Sequence, residues 1–163
     1  FLRSLFLTRR TFWAGWALVV LFALAQALPP LLDVALALFA IFVLLVLGEL
    51  FVLYRLRKGI TAARQTREKW SNGDENPVAV RVTNHYPMPV RLRILDELPV
   101  QFQKRDLVFN GNLSGGATSS FPYAVRPVER GLYSYGAINV MASTALGLVE
   151  RRYPLETKST VSV

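Results

Sequence analysis

The sequence of 163 residues has no cysteine and a single histidine, His85. Disulfide scaffolds, thiolate zinc sites and cysteine nucleophiles are therefore excluded. Acidic residues are also few, because 11 Asp and Glu stand against 19 Lys and Arg, for a formal net charge of +8. Apolar residues are abundant at 52% of the chain, which excludes a disordered protein.

Charge and apolar character both divide the chain near residue 70. The first 70 residues carry nine basic and three acidic side chains, a balance of +6, whereas the remainder carries ten and eight. Most of the long aliphatic runs precede residue 57. The basicity therefore belongs to the apolar part of the chain and its flanks.

Two apolar runs within residues 1–56 predict a transmembrane helical hairpin. Residues 12–28 contain Gln26 as their only strongly polar side chain and would span about 25 Å as a helix, near the lower limit for a bilayer core of about 30 Å. Residues 31–56 form a longer run that can cross with tilt. Three charged residues interrupt it: Asp33, Glu49 and Arg55.

The two runs are separated by Pro29 and Pro30. Consecutive prolines prevent a continuous helix, so the chain is expected to turn here. An N-terminal secretory signal is the rival interpretation, since Arg9 and Arg10 precede the first run. It is disfavoured because a second apolar run follows where a soluble chain should begin.

Basic residues flank the hairpin on both sides and are missing from its turn. Because Lys and Arg are retained on the cytoplasmic side, both termini are predicted to be cytoplasmic and the protein to be multi-pass in a plasma membrane. The lipid bilayer is thus its first expected partner.

Gln26 and Glu49 are the intramembrane polar candidates. Ionisable residues inside a span are often functional. For Glu49 the alternative is a structural role near the cytoplasmic interface, where its carboxylate could reach water or a partner helix. Gln26 is expected at the outer interface.

Residues 57–76 are predicted to form a basic helical connector. Small and basic residues alternate between 57 and 69, and such cations favour anionic headgroups by about 1 kcal/mol each. Nucleic acid is not expected as a partner, because the run lacks interleaved aromatic residues. The turn-rich stretch at 71–77 marks the domain boundary.

Residues 77–163 change to a twofold periodicity. Val78, Val80 and Val82 alternate with more polar residues, and a second alternating run covers 90–95. Further strands are predicted at 101–105, 106–113, 119–126, 131–134, 137–143, 148–153 and 160–163. Short strands spaced by turns, without helices, predict an all-β, immunoglobulin-like antiparallel sandwich.

No pattern in this region predicts catalysis. His85 lies in a turn, and the adjacent Asp96 and Glu97 would point to opposite faces of a strand, as solvent-facing or turn residues. The 114–116 turn lacks the lysine and helix of a phosphate loop. We expect no enzyme activity, no catalytic, cofactor-binding or metal-binding residues, and no cofactor.

The most specific stretch lies between residues 126 and 154. It has Arg-Gly-x-Tyr at 130–133, a glycine at 136, Leu-Gly-Leu at 146–148 and the pair Arg151-Arg152. This pattern resembles the bacterial family called domain of unknown function 58, as does the order of apolar spans and β-domain. One departure is Thr144-Ala145, where that family often has Asp-Pro.

The resemblance implies a location in the bacterial inner membrane and association with a MoxR-type AAA+ ATPase in assembly or maturation of other proteins. It also implies a C-terminal domain similar to von Willebrand factor A domains, which is absent here, so the chain is expected to be a fragment. The expected function is a membrane-anchored scaffold or docking module. The alternative is a cell-envelope or polysaccharide-export component acting through its transmembrane helices. The candidate interaction patch comprises Arg126, Arg130, Tyr133, Arg151 and Arg152.

Overall fold

The computed structural model describes residues 4–99, 102, 107–155 and 159–163. It divides into two compact units. Unit 1 contains the chain up to Arg57 together with Ser143–Arg151, and unit 2 contains Lys58–Ala142 with Arg152–Val163. The boundary after Arg57 lies one residue from the predicted boundary after 56. No boundary occurs at 76, because residues 58–76 belong to the β-rich unit, and residues 143–151 belong to the unit of the helices.

Unit 1 is a pair of packed helices. Helix α1 spans Arg9–Ala25 and helix α2 spans Pro30–Arg55. The rings of Phe22 and Phe39 meet edge to face with centroids 6.2 Å apart. Pro30 is tolerated because backbone N–H groups in the first turn of a helix have no intrahelical acceptor, so the N–H that proline lacks is not needed there. The predicted helix pair with a proline turn is thus observed.

The helix bounds differ from the predicted spans. Helix α1 starts three residues earlier than residue 12 and ends at Ala25, because residues 26–28 turn toward the prolines. Gln26 is the exposed C-cap of α1, and its backbone N–H donates to the carbonyl of Ala23 at 3.3 Å. Among the described residues, α2 alone is both long and apolar enough to cross a membrane.

A short strand completes unit 1. Strand β1 (Leu5–Leu7) pairs antiparallel with the first three residues of β9 (Val149–Leu155), in the register Leu5 to Arg151. The sequence did not predict β1, since three residues are too few for a detectable period.

Unit 2 consists of short strands. They are β2 (Ile60–Gln65), β3 (Asn76–Asn84), β4 (Val90–Asp96), β5 (Leu107–Leu113), β6 (Thr118–Val125), β7 (Leu132–Ser134), β8 (Ile138–Ser143) and β10 (Thr160–Ser162), with residues 152–155 of β9. One sheet has the order β2-β3-β6, and a second has β9-β8-β4-β5. A two-stranded ribbon pairs β7 with β10.

The predicted antiparallel sandwich is confirmed in its essentials. Val78, Val80 and Val82 of β3 are buried, as are alternate residues of β4. The two sheets touch through Phe109 of β5 and Phe121 of β6, whose ring centroids are 6.0 Å apart. The two strand orders also agree with the A-B-E and G-F-C-C′ arrangement typical of immunoglobulin-like domains.

The predicted helical connector at 57–76 is wrong. Residues 60–65 form β2, which pairs antiparallel with β3 from Ile60 opposite Asn84 to Gln65 opposite Ala79. Backbone pairing with β3 and burial of Ile60 outweigh the helical preference of the small and basic residues. The strand predicted at 101–105 lies outside the described residues except for Phe102, which is in a 3₁₀ turn.

Candidate functional site

The carboxylate of Glu49, in helix α2, is the centre of the polar contacts in unit 1. Glu49 is only 4% exposed. It accepts hydrogen bonds from the backbone amides of Gly147 at 3.0 Å, Leu148 at 2.8 Å and Val149 at 3.1 Å, and from the hydroxyl of Thr144. Four donors therefore satisfy one buried anion, which offsets the cost of removing it from water.

The backbone between Thr144 and Val149 is shaped for this role. Gly147 has φ +65°, a left-handed conformation that glycine adopts without steric cost. Successive amides around such a residue point to one side and form a concave anion site. Gly147 in the Leu-Gly-Leu pattern therefore has a specific task, which is to aim three amides at Glu49.

Arg151 binds the C-terminal end of the same helix. Its guanidinium donates to the carbonyls of Leu53, of Leu56 at 2.7 Å and of Arg57 at 3.1 Å, and it lies 4.5 Å from the ring centroid of Tyr54. The last carbonyls of a helix lack intrahelical donors and carry partial negative charge. Arg151 thus caps the C-terminal end of α2, while Glu49 of the same helix binds residues 144–149, which precede Arg151 in the chain.

Helix α1 contacts the same segment from its first turn. The Thr8 hydroxyl donates to the carbonyl of Gly147 at 2.6 Å, Arg10 donates to that of Leu146 at 2.9 Å, and Thr11 donates to that of Leu148. We call residues 144–151 the clamped segment. Its amides bind α2, and its carbonyls bind α1.

Sequence reasoning identified Glu49 as an intramembrane polar candidate, with a structural role near the cytoplasmic interface as the alternative. The carboxylate is buried against the clamped segment and not exposed to water as that alternative suggested. Thr8, Arg10, Thr11 and Thr144 were missed as contact residues. More than ninety positions separate the partners, and no local pattern reports such a pairing.

Unit 2 contains a second buried polar cluster, across its two sheets. Arg64 of β2 and Asp96 of β4 form an ion pair whose side chains are 1% and 0% exposed. Arg64 Nε donates to Asp96 Oδ2 at 3.2 Å, and the hydroxyl of Tyr123 on β6 donates to the same oxygen at 2.6 Å. Arg64 also donates to Ser159 Oγ at 2.8 Å and to the Gly136 carbonyl at 3.2 Å.

This cluster corrects the prediction that Asp96 is solvent-facing or in a turn. The carboxylate can be buried because Arg64 neutralises it, and Arg64 comes from a segment that was predicted to be helical. Glu97, the other member of the acidic pair, is exposed and binds Asn139 Nδ2 at 2.7 Å. The two carboxylates have separate partners and do not act as a pair.

Two phenols beside the ion pair are held neutral. Burial, followed by the negative charge and hydrogen bond of Asp96, raises the pKa of Tyr123 far above its ordinary value near 10. Burial also raises the pKa of Tyr135, whose ring centroid lies 4.2 Å from the guanidinium carbon of Arg64. Tyr123 therefore acts as a donor to Asp96, whereas the Tyr135 ring packs against the Arg64 guanidinium.

The residues of the predicted interaction patch have different environments. Arg126 and Arg130 are exposed between β6 and β7, whereas Tyr133 is buried and donates to the Glu129 carbonyl at 2.7 Å. Arg151 caps α2, as described above. Arg152 donates to Asn139 Oδ1 at 2.7 Å.

Two large apolar side chains, missed by sequence reasoning, accompany the exposed arginines. Val128 is 70% exposed and Leu132 is 73% exposed. They alternate in sequence with Arg126 and Arg130, so we call residues 126–132 the basic-apolar loop. Its arginines are the exposed part of the predicted patch, and Arg126 Nε also donates to the Gly73 carbonyl.

The part of the chain that the structure describes contains no group of three or more His, Cys, Asp or Glu residues able to hold a metal ion. His85 is exposed, and its Nε2 lies 2.9 Å from the hydroxyl of Thr61. In each buried cluster, protein donors bind both oxygens of one carboxylate.

No protein-family model and no curated protein matches the chain. Among solved structures, the crystal structure of the CARDB domain of the PF1109 protein from Pyrococcus furiosus has a TM-score of 0.42 and 11% identity, covering 59% of this chain and 86% of that one. Its solution structure gives 0.39 and 11%, covering 60% and 94%. The β-glucosidase EmGH1 from Erythrobacter marinus gives 0.30 and 20%, covering 59% and 15%. At these TM-scores nothing is transferred from those proteins to this chain.

Proposed function

We propose that the chain is a membrane-anchored docking module, with the helix pair in the inner membrane of a bacterium and the β-rich unit presenting a surface to a protein partner. The observation that carries this proposal is the clamped segment. An apolar helix holds it through a buried carboxylate and an arginine cap, and the segment continues covalently into β8 and β9.

The lipid part of the proposal is supported by the surface of the helices. Leu44 and Phe51 of α2 and Trp13 of α1 are each at least 65% exposed, and apolar residues cover most of both helices. A continuous apolar surface of this kind needs lipid or protein to cover it. Basic residues at both ends then favour cytoplasmic termini and two crossings.

The protein part is supported by the basic-apolar loop. Val128 and Leu132 offer apolar contacts, and Arg126 and Arg130 favour a partner surface with acidic residues around the contact. Following the family resemblance, we propose a MoxR-type AAA+ ATPase as the partner, in a complex that also includes a domain similar to von Willebrand factor A domains.

Binding of a purified MoxR-type ATPase to the full chain in detergent tests the partner. The double variant Val128→Ser/Leu132→Ser should weaken binding at least tenfold, whereas Val108→Ser, at a partly exposed position of β5, should not. Unchanged binding by the double variant would exclude the loop. Recovery of glycan-assembly membrane proteins in place of the ATPase would favour the alternative envelope function.

Reporter fusions test the membrane topology separately. A fusion at Pro30 should report the outer side, and a fusion at Val163 should report the cytoplasm. An external Val163 would contradict the proposed orientation even if the protein is inserted.

A further inference from the structure

A groove of about 710 Å³ runs along one face of helix α1. The groove is open on the side away from the helix. The lining residues recur every three or four positions and so share one face of the helix: Arg9, Phe12, Trp13, Trp16, Ala17 and Val20. We call this the Arg9 groove.

The groove combines one cation with an aromatic and aliphatic surface. Arg9 lies at its start, in the first turn of α1, and the apolar residues follow toward the C-terminus over about three turns. Trp13 is 75% exposed. A side chain of this size is rarely left so exposed unless lipid or a partner covers it.

Three neighbours of Arg9 in sequence are already engaged. Thr8, Arg10 and Thr11 donate to carbonyls of the clamped segment, which orients the start of the helix. Arg10 is therefore bound to a carbonyl, while the neighbouring Arg9 lines the groove. The two adjacent arginines have different roles.

We propose that the Arg9 groove binds one anionic phospholipid, with the lipid phosphate at Arg9 and an acyl chain along Trp13, Trp16 and Val20. The inference rests on the proposed membrane location. A guanidinium binds phosphate through two parallel hydrogen bonds, and tryptophan favours the headgroup level of a bilayer. The order of cation and apolar residues along the groove matches the order of headgroup and chain in a phospholipid.

Tryptophan quenching by brominated lipids tests this site in the full chain. The protein is reconstituted into phosphatidylcholine vesicles in which 10% of the lipid is brominated, either as phosphatidylglycerol or as phosphatidylcholine. We expect brominated phosphatidylglycerol to quench more strongly, in line with local enrichment of about fivefold, the equivalent of ~1 kcal/mol for one cation at a lipid surface.

Two variants locate the effect. Arg9→Gln should remove the preference for the anionic lipid, whereas Arg81→Gln, at an exposed position of β3 in unit 2, should keep it. Trp13→Phe/Trp16→Phe should remove most of the quenching, because the remaining Trp70 is buried in the core of unit 2.

The outcomes separate this inference from the proposed function. Equal quenching by the two brominated lipids shows insertion without selectivity and overturns only the lipid site. Selectivity that survives Arg9→Gln also overturns it. The absence of quenching by either lipid overturns the lipid site. It would occur if a protein helix filled the groove or if the chain stayed out of the bilayer. Failure to co-sediment with vesicles would overturn the membrane location as well.

Discussion

The carboxylate of Glu49 accepts a 2.8 Å hydrogen bond from the backbone amide of Leu148, ninety-nine positions later in the chain. The same oxygen accepts the Val149 amide at 3.1 Å, while the other oxygen accepts Gly147 and Thr144. Both oxygens of one side chain are therefore needed as acceptors. This requirement makes the clamped segment sensitive to small changes in Glu49.

Glu49→Gln should release the clamped segment. The glutamine amide nitrogen would face amide donors where an acceptor is required, at a cost of about 2–3 kcal/mol. Hydrogen exchange in detergent should show lost protection at the amides of 147–149. Asp33→Asn, which changes the exposed acid of the same helix, should cost less than about 1 kcal/mol and leave those amides protected. Unchanged exchange in Glu49→Gln would show that the carboxylate does not hold the segment.

Thr144→Asp should destabilise unit 1, although the family that the sequence resembles often has Asp-Pro in place of Thr144-Ala145. Thr144 donates its hydroxyl to Glu49, whereas an aspartate would place a second negative charge beside it. We expect a loss of about 2 kcal/mol or more, since a buried donor is replaced by a like charge. Thr144→Ser keeps the hydroxyl and serves as the control in thermal unfolding.

A double-mutant cycle tests that explanation. The cost of Thr144→Asp should shrink in the Glu49→Gln background, where no like charge is present. Equal costs in both backgrounds would mean that the substitution acts by another route.

Asp96→Asn should destabilise unit 2 by about 3–5 kcal/mol, because it leaves the Arg64 guanidinium buried without a counter-charge. The double variant Arg64→Met/Asp96→Leu removes both charges and should be more stable than Asp96→Asn. Denaturant unfolding followed by near-ultraviolet circular dichroism measures both. The exposed Asp74→Asn is the control, and a double variant less stable than Asp96→Asn would contradict the expected coupling.

Stability should fall with rising pH above about pH 10, the ordinary pKa of tyrosine. Burial raises the pKa values of Tyr123 and Tyr135 in the folded protein, so the unfolded chain ionises first and releases protons on unfolding. The contribution of these tyrosines to stability is thus intact below pH 10 and is lost above it. The free energy of unfolding falls with pH at a slope that corresponds to the release of up to one proton for each tyrosine. Thermal midpoints measured from neutral pH to about pH 11 test this sign.

Two phenylalanine variants separate the tyrosines. Tyr123→Phe should reduce the alkaline slope and also lower stability at neutral pH, because it removes a hydrogen bond to Asp96. Tyr135→Phe should reduce the slope with little neutral cost, since the Tyr135 hydroxyl has no hydrogen-bond partner among the described residues. An unchanged slope in both variants would assign the alkaline loss to other groups.

Much of the architecture could be predicted from local sequence patterns. The proline pair located the turn between α1 and α2, and the alternation around Val80 and Leu92 located β3 and β4 with their buried faces. These features depend on backbone restriction and on side-chain periodicity, which short windows of sequence contain.

The strand at 60–65 could not be predicted in this way, because its local composition suits a helix and only pairing with β3 selects the extended form. The partners of Glu49, Arg151 and Asp96 were equally hidden. Each charge is stable in a buried position only because donors or a counter-charge arrive from distant parts of the chain. Sequence by itself thus determined the apolar helix pair, the alternating strands and the positions of the rare charged groups. The tertiary structure alone decided which of those charges are buried, since the cost of removing an ion from water is offset by three-dimensional contacts and not by its neighbours in sequence.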